Sequence, residues 1–280
     1  MAEASWGSFG DLPAELPALP SPAHMEAFLQ ALHRADPTHL DAELAPLFPP
    51  LPGLKVEVKV VANGFPVWGD MYVRRFSLRD GSQVEDEQGR LVILLNACLV
   101  AGRSYGETSE AQAAGAMNVL RHEVFHICYG TLRERDPRHT QDSALTPAES
   151  LLLTTQNEGM GHFLADQAKL RAKGFPAERA ERALKDLEAA LLAIRQGKAT
   201  PKLLLDANQG PFWSKYAAIS GMLFAYGVDR AQGAEGLKAS LREGPAALVR
   251  RYMEAADRLP ELPKPGPEVV AWSKALAGLR

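Results

Sequence analysis

The stretch TSEAQAAGAMNVLRHEVFHICY, residues 108–129, decides how this chain is read. It has the length and spacing of a helix, and His122-Glu123-Val124-Phe125-His126 lies inside it. Four residues advance a helix by about 400°, so the two imidazoles emerge about 40° apart on adjacent turns. Two imidazoles so placed can grip one tetrahedral zinc ion. Glu123, about 100° round from His122, can reach a water on that ion, whose pKa the metal lowers towards about 7. The carboxylate can then take the proton and pass it to a leaving amine. The flanking Val119, Leu120, Val124, Phe125 and Ile127 are apolar. A buried helix with two His and one Glu needs partners for them, which weighs against a merely solvated face.

A catalytic zinc takes a third protein ligand and keeps one position open. His139, Glu158 and His162 are the candidates. The metzincin spacing fails, because Gly130 stands four residues after His126 and Leu132 stands six after it. Thr146-Pro147-Ala148-Glu149 is a capping box that opens a further helix, expected to run to Lys173 with Gly174 as its stop. His122 lies about 12 Å before the end of the first helix, and Glu158 about 17 Å into the second. If the two pack antiparallel across the polar 131–146 loop, Glu158 comes level with the imidazoles, and geometry favours it. Gly159 and Gly161 weaken a helix interior and are tolerable where another backbone or the metal approaches closely. His162, one turn on, can hydrogen-bond the reacting oxygen, orient a ligand or replace Glu158. Asp166 extends that face as an acceptor for an imidazole N–H. Cys128, about 200° round from His126, should point away from the metal.

Outside these two helices the pattern is of a small sheet followed by helices. KVEVKVV (55–61) alternates like a half-buried strand, Val67 to Phe76 reads as another after an Asn63-Gly64 turn, and LVILLNACLV (91–100) is a continuous apolar run of strand length. Helices are expected at 23–35, 37–47, 176–196, 211–230, 234–242, 245–258 and 267–278, with Asp229 capping or pairing within its own. The expected fold is α+β: a small mixed or antiparallel sheet followed by a mainly helical lobe. The expected divisions are an N-terminal arm with short helices (1–50), a sheet and active-site helix (51–131), and a helical lobe carrying the third ligand (132–280).

Composition narrows the function. The 280 residues are 46% hydrophobic and 23% charged with a net charge of −3, values of a soluble globular protein. Nearly balanced charge argues against nucleic acid as partner, and no run of apolar residues is long enough for a membrane span. The acidic, Pro-rich start lacks a signal-peptide pattern, which fits a cytoplasmic protein and equally a mature form cut from an exported precursor. Two cysteines without a C-x-x-C pair leave any metal site to His and carboxylate.

HEVFH followed by NEG (157–159) on a later helix resembles the gluzincin zinc metallopeptidases of the thermolysin and aminopeptidase type. The resemblance implies His122, His126 and Glu158 as ligands of one zinc ion, Glu123 as general base, and a peptide or protein substrate. It also implies two lobes, a sheet packed on the active-site helix and then a helical lobe, with extended peptide bound at an edge strand, and LVILLNACLV is the strand expected to line the cleft. Thirty-one residues separate His126 from Glu158, more than in the best-known members. His162 stands where thermolysin-type members have an Asp. Many members stabilise the oxyanion with a Tyr or His from the helical lobe, which here points to Tyr216, with Tyr226 in reserve. A second reading keeps fold and zinc without turnover, as a peptide-binding or scaffold module.

Overall fold

In the computed structural model the described residues are 20–61, 70–80, 82–102, 105–136 and 145–278. The Asn63-Gly64 turn, the start of the strand expected from Val67, and His139 lie outside them. The chain is α+β, with a four-stranded mixed sheet and a predominantly helical second half. It divides into two compact units. Among the described residues one holds 20–39 and 53–123, and the other 40–52 and 124–278.

The first unit contains α1 (Pro22–Ala35), β1 (Val56–Val61), β2 (Met71–Arg79), β3 (Ser82–Glu85), β4 (Arg90–Asn96), the short α3 (Ala97–Val100) and the first part of α4 (Ser109–Glu134). Ser21 caps α1 through its hydroxyl, and Pro22 starts it, since proline's missing N–H costs nothing there. The strand order is β1-β4-β2-β3; β1 runs parallel to β4, and β2 pairs antiparallel with both β4 and β3. The apolar run 91–100 behaves differently from its reading in two respects. It leaves the strand at Asn96, whose buried side chain accepts from the Cys98 N–H and caps α3. It is also interior: β4 is hydrogen-bonded to β1 on one side and β2 on the other. A strand saturated on both sides cannot take up a peptide by backbone pairing. Among the described residues the sheet edges are β1 and β3. The same hydrophobicity that marks a cleft strand also marks a central one.

The second unit contains the rest of α4, then α2 (Leu40–Leu44), α5 (Pro147–Lys173), α6 (Ala177–Arg195), α7 (Pro201–Asp206), α8 (Tyr216–Glu243), α9 (Pro245–Arg258) and α10 (Pro267–Gly278). α5 has the expected bounds: the Thr146 hydroxyl accepts from the Glu149 N–H, and the Glu149 carboxylate accepts from the Thr146 N–H. α4 outlasts its expected end by one turn, through Glu134. α6 buries Ala180, Ala183, Leu184, Leu187, Ala190 and Leu191, the stripe of an amphipathic packing helix. α8 joins the two helices expected at 211–230 and 234–242 into one element, which leaves helical geometry at Gly233 (φ 64°, ψ −157°). Every residue of α8 from Tyr216 to Asp229 is buried, so it is the central rod of this unit.

α5 and α8 touch backbone to backbone. A Cβ on Gly159 would lie 2.2 Å from the Gly221 carbonyl carbon, and a Cβ on Gly221 would lie 1.7 Å from the Thr155 carbonyl oxygen. The residue directly after Glu158 is therefore glycine because a second main chain passes there. Asp229 binds across this pair rather than within its helix: its two carboxylate oxygens accept from the Arg171 guanidinium of α5 at 2.7 and 2.8 Å. That fork raises the Arg171 pKa further above its already high value.

Candidate metal centre

α4 and α5 supply the site. α4 is unbroken from Ser109 to Glu134, so the one-turn step from His122 to His126 is a property of the helix itself. One ligand atom each from His122, Glu158 and His162 lie within 4.8 Å of one another. His126 faces the same carboxylate, its Nε2 3.6 Å from Glu158 Oε2. Two donors sharing a tetrahedral zinc at about 2.1 Å stand roughly 3.4 Å apart, so this spacing suits a shared metal. His122 is buried; Glu158, His126 and His162 are half-buried. Three imidazoles beside one carboxylate make a nitrogen-rich donor set of the kind that selects zinc over calcium or magnesium. The donor set fits.

Asn157 completes the arrangement. Its side-chain oxygen lies 3.0 Å from His126 Nδ1. An amide oxygen only accepts, so Nδ1 carries the proton and the lone pair is left on Nε2, the nitrogen turned towards Glu158. The sequence points to Asp166, not Asn157, as the acceptor for an imidazole N–H. In the structure Asp166 lies 3.9 Å from Lys169. The missed signal is adjacency: the residue before a ligand on a helix lies about 100° away and can reach a neighbouring ligand. Asn157→Leu is expected to lower zinc affinity by about 10- to 100-fold, read by competition with a chromophoric chelator. Unchanged affinity would refute the orienting role.

His162 also meets an aromatic edge: the Phe212 ring stands 5.0 Å away at 89°. Tyr216, the oxyanion candidate, already has an acceptor for its proton. Its hydroxyl donates to the Leu203 carbonyl at 2.7 Å, and burial, with Asp206 and Asp186 nearby, pushes its pKa up to about 12. Tyr226 accepts from Arg230 at 2.8 Å. Cys128 is a free, half-buried thiol whose pKa burial pushes up to about 11. In the first unit, the Tyr105 hydroxyl donates to Asp70. Burial, that bond, and the Asp70 and Glu123 charges together raise its pKa well above the usual phenol range.

His122, Glu158 and His162 make a group that could hold one metal ion. The chain belongs to the family described as "Putative zinc dependent peptidase (DUF5700)", whose profile matches residues 95–261, more than half of the chain. That segment contains all of α4, α5 and α8. No curated protein and no solved structure matches the chain. Family and donor set agree on zinc as the cofactor, one ion at this site. Among the described residues no helix is long and apolar enough to cross a membrane.

Proposed function

We propose that this chain is a gluzincin-type zinc metallopeptidase that hydrolyses peptide bonds. His122, His126 and Glu158 hold the zinc, Glu123 is the general base, and His162 hydrogen-bonds the reacting oxygen. The observation that carries the reading is the convergence of His122, Glu158 and His162 ligand atoms within 4.8 Å, with His126 against the same carboxylate. The family's description supports the coarser class.

When bound, zinc supplies a Lewis acid that polarises the scissile carbonyl and acidifies water. Glu123 accepts a proton from the attacking water, and the water's oxygen adds to the carbonyl carbon. The C–N bond then breaks, and Glu123 returns the proton to the departing nitrogen. Asn157 keeps His126 in the tautomer that leaves Nε2 available. His162 donates to the carbonyl oxygen as negative charge grows there. This role falls to His162 and not to Tyr216, whose proton is engaged by Leu203.

The test combines a metal measurement with a chelator. Protein purified without chelator should show a zinc absorption edge at one ion per chain and cleave peptides in a mixed library. Chelation should stop cleavage and added zinc should restore it. Zinc without cleavage of any peptide would move the assignment to a peptide-binding or scaffold module. Absence of zinc would reject the site.

A further inference from the structure

Gln156 is buried with no exposed surface, and Tyr129 is 2% exposed. Neither belongs to the donor set, yet each is a near neighbour of it in sequence. Tyr129 follows His126 by three positions on α4, so the two lie on one side of that helix. Gln156 immediately precedes Asn157 and Glu158 on α5. The Tyr129 hydroxyl donates to the Gln156 side-chain oxygen at 2.7 Å. The other end of the same amide donates to the Ser240 carbonyl of α8 at 2.8 Å. One side chain thus ties three helices together.

We propose that Gln156 and Tyr129 are positioning residues for the metal centre, fixing the register of α5 against α4 so that Glu158 meets His126. The proposal rests on the zinc-ligand reading above. α4 and α5 are joined by two adjacent side-chain bridges, His126 to Asn157 and Tyr129 to Gln156. Two bridges from neighbouring residues of α5 to neighbouring turns of α4 constrain its rotation about α4 more tightly than one. A helix that turns by one residue swings its side chains by about 100°, which would carry Glu158 away from the imidazoles. Metal geometry tolerates only about 0.5 Å of such drift. On its other face α5 is held at the same level by the Gly159–Gly221 contact. The fragment from Gln156 to Gly159 is therefore located by α4 on one side and α8 on the other, with Glu158 inside it.

An ordinary buried hydrogen bond would serve stability alone, and the experiment separates the two roles. Zinc affinity of the full chain is measured by chelator competition well below the melting temperature, together with the melting temperature of the apo protein. Tyr129→Phe is expected to weaken zinc binding about tenfold, at the lower end of the range for groups that orient ligands. In Tyr129→Phe with Gln156→Met both polar partners are gone, so apo stability should recover towards wild type. The Ser240 carbonyl still accepts from the Gly244 N–H in that variant. Zinc affinity should stay depressed in the double variant if the bridge sets register. Recovery of affinity along with stability, or wild-type affinity in Tyr129→Phe, overturns the proposal while leaving the ligand assignment intact. If wild-type protein binds no zinc at His122, His126 and Glu158, the ligand assignment falls and the proposal with it.

Discussion

Glu123→Gln is expected to hold one zinc per chain and lose peptide hydrolysis by about a thousandfold or more. Amide for carboxylate is nearly isosteric, so packing around α4 should barely change. The basicity is lost: an amide cannot accept a proton from water near neutral pH. About a thousandfold corresponds to roughly 4 kcal/mol of transition-state stabilisation, which is large for a change of one atom. The measurement pairs zinc stoichiometry with turnover of a peptide that the wild type cleaves. Loss of zinc together with activity would make Glu123 a structural residue. Retained zinc with full turnover would assign the proton transfer elsewhere.

Gly221→Ala is expected to destabilise the second unit by about 3 kcal/mol or more, at or beyond the upper end of ordinary overpacking. The added methyl would lie 1.7 Å from the Thr155 carbonyl oxygen, and a main-chain atom cannot rotate away as a side chain can. α5 and α8 must separate, and their close contact is the long axis of this unit's core. Each kcal/mol is worth about 2–4 °C in a domain of this size, so melting should fall by about 10 °C. Zinc affinity should fall too, since Glu158 sits one residue from the crossing. Gly130, whose Cβ would meet nothing within 4 Å, provides the control: Ala there should fold and bind zinc normally. A Gly221→Ala protein with unchanged melting would mean that the helices part at little cost.

Much of this was legible before any coordinates. HEVFH implies a helix with two imidazoles one turn apart, and α4 is that helix, since four residues make one turn and a bit more whatever surrounds them. The Thr146–Glu149 capping box gave the start of α5, because a cap is local chemistry. Gly159 signalled a close approach, and the partner proved to be another main chain at Gly221, which nothing in the sequence names. What stayed hidden was tertiary. Whether an apolar strand is central or at an edge depends on its partners, so 91–100 could not reveal that β1 would take its other side. Tyr216 read as an available phenol because Leu203, thirteen residues earlier, gives no sequence sign of accepting its proton. Asn157 and Gln156 looked like ordinary polar helix residues until α4 and α8 arrived beside them. Asp229 reached Arg171 across a helix pair for the same reason.

The departure of α8 from helical geometry at Gly233 separates two jobs along one element. Torsion travels down a helix only while its ladder of amide bonds is continuous. The limb before Gly233 carries Gly221 and bears on α5; the limb after it carries Ser240, which receives the Gln156 amide. With helical geometry broken between them at Gly233, rocking of the second limb need not twist the first. Sequence drift in the hairpin formed with α9 is thereby buffered from the Gly221 crossing, and reaches α5 through the Gln156–Ser240 hydrogen bond.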